Sequence, residues 1–310
     1  ALDSLPLPIG TRRPRLPLAQ ARMVARMPAE RGRASEIVVI KTAGDRDRDR
    51  AFAQVGAPGV FVREIEQALL DGAVDLAVHS YKDLPSKSPD ALAVVAVPER
   101  ADAADRLLVR AAASDPSLDP LPLAKGARVG SASARRRALL ARLRPDVTVE
   151  LLRGNLPTRV RRVAEGDFDA TLLAAAGLDR LDRAAADAPD ERLDRSALVE
   201  TRLDPELFVP APSQGAVAVQ ARVADAAAVE AAAAIDDPAA HRAVRAERAL
   251  LAAVEGGCQV PFGAHCRALD GGRLTMTAFL ERDGGWRDAA GEADDPEELA
   301  ALLWDVLRRD

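Results

Sequence analysis

The stretch that most restricts what this chain can become is residues 74–85, VDLAVHSYKDLP. An apolar run at 76–78 passes without a break into His79, Ser80, Tyr81, Lys82 and Asp83, and Pro85 forbids a regular continuation. The run predicts a buried strand, which leaves the polar residues on a loop at its carboxyl end. In open α/β sheets that is the edge where ligands bind. A carboxylate beside an ammonium at such an edge suits acid–base or charge-stabilising chemistry, although Lys-Asp taken alone is more often a solvated turn.

The rest of the chain supplies the sheet. Apolar runs at 9–12, 36–41 and 91–97 predict further strands, the second and third of them buried, with helices over 20–27 and from Phe61 through Leu69. Residues 53–59 have the Gly and Pro density of a flexible segment, and 98–105 read as a polar, irregular crossover. Strand and helix then alternate again: strands at 128–130, 148–152 and 170–174, helices through Leu143 and over 158–164. This alternation predicts parallel sheets covered on both faces, in two similar α/β halves. Residues 208–222 read as a return strand that rejoins the first sheet, followed by a helix over 226–235. The last part changes character. A helix over 239–254, a hairpin at 273–281 turning at Asp283-Gly284 with Trp286 beyond, and a core-facing stripe of Leu299, Leu302, Leu303, Val306 and Leu307 predict a small α+β domain. The expected division is residues 1–100 with 212–233, then 101–211, then 234–310.

Charge narrows the ligand. The net charge of −5 and 3% aromatic content argue against a general nucleic-acid binder, so none is expected as a partner. Yet residues 128–162 hold ten arginines against Asp146 and Glu150, an excess of +8. Such a segment suits a polyanion, and arginine forks suit carboxylates in particular. For Arg135–Arg137 alone a solvated helix face is as good a reading. Cys258 follows two glycines, which fits a covalent tether, although a small buried apolar role is the commoner fate of a cysteine. Cys258 and Cys266 are too few for a disulfide framework and lack zinc spacing. With no apolar run long enough to cross a membrane and no signal-peptide pattern at the start, a cytoplasmic protein without a membrane partner is expected.

The blocks IGTR (9–12), TAGD (42–45), HSYKDLP (79–85), VGSASARR (129–136), RGNLPTR (153–159), LAAAGLDRL (173–181), PAPSQGA (210–216), AER (246–248) and EGGCQVPFGA (255–264) occur in this order over nearly the whole chain. Together they resemble the porphobilinogen deaminase, or hydroxymethylbilane synthase, family of tetrapyrrole biosynthesis. The resemblance implies an α/β fold: two type II periplasmic-binding-protein-like α/β domains with a cleft between them, plus a small C-terminal α+β domain. It implies a transferase that joins four porphobilinogens head to tail, with loss of ammonia, into hydroxymethylbilane. It implies a dipyrromethane cofactor carried on Cys258 through a thioether, and a monomer. By the same resemblance Asp83 is the catalytic carboxylate. Lys82, Asp83, Ser133, Arg135, Arg136 and Gly154 hold the cofactor with Cys258, and Arg12, Ser80, Arg153, Arg159, Arg180 and Gln214 bind substrate.

Some positions depart from the family pattern. Pro14 and Ala132 stand where serines are common, Gln54 and Pro58 where basic residues are common, and Ser213 where a glycine is common. These changes remove contacts to acidic groups, so the alternative expectation is a weakened homologue that serves as a polycarboxylate-binding module.

Overall fold

The computed structural model describes residues 6–29, 34–40, 62–186, 188–254 and 260–309. Its first elements are β1 (Leu7–Arg12), α1 (Arg15–Ala29), β2 (Ser35–Ile40), α2 (Arg63–Leu70), β3 (Leu76–Ser80) and β4 (Leu92–Ala96). A second series follows: β5 (Asp105–Arg110), β6 (Arg128–Gly130), α3 (Ala134–Leu143), β7 (Thr148–Glu150), α4 (Leu156–Ala164), β8 (Ala170–Ala174), α5 (Ala175–Ala184) and β9 (Leu198–Arg202). The chain continues as β10 (Val217–Arg222), α6 (Ala226–Ala233) and α7 (Pro238–Val254). It ends in β11 (Phe262–Ala268), β12 (Leu274–Arg282), β13 (Gly285–Ala293) and α8 (Pro296–Leu307). Two compact units result: residues up to Ala101 with Ala216–Val244, and Asp102–Gly215 with Arg245–Asp310.

The two five-stranded sheets have the orders β2-β1-β3-β10-β4 and β7-β6-β8-β5-β9. In each, three neighbouring strands run parallel and the fourth antiparallel. The sheets are therefore mixed, not purely parallel as expected; side-chain periodicity is the same for either strand direction and does not distinguish the two. In each sheet the antiparallel member is the first strand the chain forms after leaving the other unit, β5 in one and, on the chain's return, β10 in the other. The class is the expected one, two similarly ordered α/β sheets plus a small α+β segment.

Both faces of each sheet are covered. In the first, Ile9, Leu76, Val78, Val217 and Val219 pack with Ala21 and Val24 of α1 and Ala228 of α6. Ala77 turns the other way to join Ile65 and Leu69 of α2. In the second, Leu107, Val109, Val129 and Leu172 meet Leu139 and Leu140 of α3, while Leu108 and Leu173 face Val160 of α4 and Leu178 of α5. These alternating residues are the expression of a two-sided strand.

Three readings need correction. The strand expected at 36–41 is an edge strand, β2, and is only partly buried, with Val39 exposed. β4, expected to be buried, is also an edge strand, and three of its five residues are partly exposed. In α8, Leu299, Leu303 and Leu307 are buried at a spacing of four, but Leu302 and Val306 lie on the outer face. The β12–β13 hairpin turns at Asp283-Gly284 as expected, and both residues have positive φ (54° and 77°), which a glycine tolerates without strain.

The segment leading into β10 is held tightly. Ser213 adopts φ 64°, and its N–H donates to Glu247 Oε2 at 2.5 Å. Its buried hydroxyl has no hydrogen-bond partner among the described residues. The left-handed backbone explains why glycine is common at this position in the resembled family, and the serine is strained there by about 1 kcal/mol. Ser213→Gly is expected to stabilise the protein by about that amount in urea unfolding; an unchanged or lower midpoint would count against the strain.

Candidate active site

The sequence-derived site residues cluster by topology. In the first unit they lie at the carboxyl ends of β1 and β3, and in the second at the junctions β6–α3 and β7–α4, within α5 and just before β10. Parallel strands followed by helices bring backbone N–H groups to that edge of a sheet, which favours anions.

In the first unit, β3 ends at Ser80 and runs into a 3-10 turn, Tyr81–Asp83. Tyr81 N–H donates to Ala216 O at 3.1 Å, and Leu84 buries its side chain in an apolar cluster with Val62 and Ala218. The turn is pinned on both sides, and Lys82 and Asp83 are presented to solvent from it. Ser80 and the buried Gln20 exchange side-chain hydrogen bonds at 2.9 and 3.1 Å. Thr11, fully buried, ties the end of β1 to α1 by donating to Pro17 O at 3.1 Å, and Arg12 follows it half-buried. Gln20 was not foreseen; a lone polar residue in a helix gives little sequence signal.

His79 is buried under this turn. Burial lowers its imidazole to about 4; Gln220 pulls it upward and the charge of Arg12 presses it down further. The Gln220 side chain in turn donates to Glu66 Oε1 at 3.0 Å and Ser88 Oγ at 3.2 Å.

In the second unit, Ser133 is the N-cap of α3, and its Oγ accepts from Arg136 N–H at 3.4 Å. Ser133 N–H donates to Ser131 Oγ at 3.2 Å. Arg135 and Arg136 are buried, so the solvated-face reading fails for them and holds for Arg137 alone. Their shared partner is Asp105, which has no solvent exposure: Arg135 Nη2 donates to Oδ2 at 2.7 Å and Arg136 Nη2 to Oδ1 at 2.6 Å. Gln214, also fully buried, donates from Nε2 to Asp105 Oδ1 at 3.0 Å and to Ala103 O at 2.8 Å. Burial opposes the charge on Asp105, but the two guanidiniums hold its carboxyl well below the usual carboxylate range. Asp105 escaped the sequence reading because it stands at the end of what looked like an irregular crossover, yet it opens β5. The apolar run at 107–109 was the available signal.

Gly154 has φ 122°, and a Cβ there would sit 3.0 Å from Thr158 Cγ2, so the turn requires glycine. Its carbonyl accepts from Arg159 Nε at 2.7 Å, and Asn155 caps α4 by accepting from Thr158 N–H at 3.0 Å. Arg153 is exposed and Arg159 half-buried at this junction. Arg180 of α5 is buried and donates to Gly215 O at 2.7 Å; burial lowers it to about 10, with Arg183 adding to the effect.

The +8 segment is less bare than its sequence suggests. Arg128 pairs with Glu150, Arg144 with Asp146, Arg161 with Glu165, Arg162 with Asp167 and Arg142 with Asp288, besides the two arginines on Asp105. Most of these carboxylates lie outside 128–162. Cys258, Gln54 and Pro58 and the 42–45 block lie outside the described residues.

Residues 7–230 match the family model described as "Porphobilinogen deaminase, dipyromethane cofactor binding domain", and residues 241–304 match "Porphobilinogen deaminase, C-terminal domain". The chain belongs to the porphobilinogen deaminase family. The porphobilinogen deaminase of Syntrophobacter fumaroxidans is 41% identical over 304 residues, covering 96% of this chain and 92% of that one. That of Sphingopyxis alaskensis is 43% identical over 303 residues, covering 96% and 91%. That of Geobacter metallireducens is 39% identical over 310 residues, covering 98% and 92%. Among the described residues no helix is long and apolar enough to cross a membrane.

The buried imidazole makes a pH prediction. His79 titrates lower in the folded chain than its ordinary 6.5, so between about 4 and 6.5 the unfolded chain binds the extra proton. Stability is complete above that window and falls as pH drops through it, by about 3 kcal/mol at the bottom. Denaturant unfolding from pH 7 to pH 4 should show this loss and His79→Gln should flatten it. An equal slope in that variant would assign the acid sensitivity elsewhere.

Proposed function

We propose that the chain is a porphobilinogen deaminase: a transferase that condenses four porphobilinogens into hydroxymethylbilane on a dipyrromethane held by Cys258. The observation that carries this reading is the family match over residues 7–230 and 241–304 combined with the clustering of most of its described motif residues at strand carboxyl ends in both units. Porphobilinogen bears an acetate and a propionate, so cofactor, substrate and product are all polyanions. The described residues fit such groups: Arg135 and Arg136 together outweigh the single charge of Asp105, and Arg180 is a third buried guanidinium.

When bound, the dipyrromethane supplies the pyrrole carbon on which chain growth starts. In each step a carbon–carbon bond forms at the carbon that loses ammonia, and positive charge develops on the departing group's pyrrole. Asp83, on its pinned turn, is the carboxylate assigned to the pyrrole N–H, where it stabilises that charge and manages the released proton. Lys82, Ser133, Arg135, Arg136 and Gly154 hold cofactor carboxylates. Arg12, Ser80, Arg153, Arg159, Arg180 and Gln214 orient incoming substrate, Gln214 through the Asp105 cluster. Two cysteines in 310 residues and the absence of a metal-like Cys/His spacing support a reducing cytoplasmic setting, and we take the working form to be a monomer without a nucleic-acid partner.

Asp83 is exposed, so Asp83→Asn should leave unfolding within about 1 kcal/mol of the parent. Hydroxymethylbilane formation should fall about 100-fold or more, the scale of a lost acid–base group. Near-parental turnover in that variant would remove Asp83 from the mechanism.

A further inference from the structure

Asp105 belongs to none of the motif blocks, yet it is the hub of the buried polar cluster in the second unit. Its carboxylate has no solvent exposure and accepts from four nitrogens: Arg135 Nη2 at 2.7 Å, Arg136 Nη2 at 2.6 Å, Arg136 Nε at 3.2 Å and Gln214 Nε2 at 3.0 Å. Each oxygen takes a different arginine, so the two guanidinium planes are set by one rigid group. Arg135 Nη1 is fixed in turn by Val209 O at 2.8 Å.

Two features point beyond a structural knot. Two buried guanidiniums face one carboxylate, which leaves the cluster with one positive charge in surroundings that penalise it. Arg135 is 5% exposed, and its Nε–H, buried, has no hydrogen-bond partner among the described residues. A guanidinium so placed still has a donor to give. A self-sufficient ion cluster would have matched charge and satisfied donors.

We propose that Asp105 is a positioning residue for anion binding in the second unit: it orients Arg135 and Arg136 and leaves them one charge in excess, so that a ligand carboxylate completes the cluster. This rests on the function proposed above. Asp105 touches no substrate; it acts through the arginines, and through Gln214 it also ties their position to the segment before β10. Replacing the carboxylate by an amide removes the shared negative charge and turns one of its two acceptor oxygens into a donor that faces a guanidinium, which lets the two guanidiniums repel and disorders the fork before a ligand arrives.

The test compares Asp105→Asn and Asp105→Glu with the parent full chain, below the unfolding midpoint of each. Intact mass follows uptake of the two-pyrrole adduct during incubation with porphobilinogen, and steady-state kinetics follow the loaded protein. Asp105→Asn should load about tenfold more slowly and raise KM about tenfold, the scale of one charge-assisted hydrogen bond, with kcat within about threefold of parental. Asp105→Glu, which keeps the charge but moves the oxygens, should lie between the two. A purely structural role would instead lower kcat with the active fraction and leave KM unchanged. That result overturns the proposal, as do parental loading and KM in a folded variant, or failure of both variants to fold. A parent that neither loads nor turns over would overturn the function reading itself, and this inference with it.

Discussion

One fully buried carboxylate, Asp105, governs how the second unit can be built. Taking it out of water is costly, and the cost is offset because two guanidiniums and an amide surround it. Removing one partner from a cluster of this kind typically costs about 3–5 kcal/mol, so the elements that supply the partners are not free to drift. Those elements are the start of β5, the first turn of α3 and the segment before β10. Neighbouring contacts tighten the same segment: Glu247 accepts from Ser213 N–H and from Cys266 N–H at 2.7 Å, and Arg180 grips Gly215 O. A backbone strained at Ser213 survives here because its surroundings hold it on every side.

From this constraint follows the placement of chemistry. Apolar alternation buries both faces of each sheet, which leaves the strand ends as the places where polar side chains can gather without cost to a core. At those ends, helix N-termini and arginines accumulate positive potential in the second unit, while the first offers the Lys82–Asp83 turn. Most arginines of the basic segment are absorbed by carboxylates on their own surface, such as Asp146, Glu165 and Asp167, where screening makes each pair worth little. The buried guanidiniums are a different population. They are the ones whose charge is felt.

Much of this was legible in the sequence, for physical reasons that can be named. The strand at 76–78 and its polar exit were readable because a short apolar run followed by proline admits few alternatives. The hairpin at Asp283-Gly284 was readable because both residues tolerate positive φ. β5, β9 and β11 were not foreseen: β5 begins with Asp105 and Arg106, whose partners lie 30 residues or more away, and β9 is half exposed. The excess of +8 was overstated because a window along the chain cannot see Asp105, Asp167 or Asp288. Strand direction was misjudged since a period of two carries no polarity. The departure at Ser213 was read as a lost contact, whereas the structure shows a backbone strain.

The most direct measurement is the intact mass of the full chain beside Cys258→Ser, each after incubation with porphobilinogen and each treated with an acid aldehyde reagent for pyrroles. A parent heavier by two linked pyrroles and coloured by the reagent, with a variant that shows neither, is the outcome expected if the chain builds and holds its own dipyrromethane through Cys258. A parent that stays at its bare mass, or a Cys258→Ser variant that carries the same adduct, would contradict it.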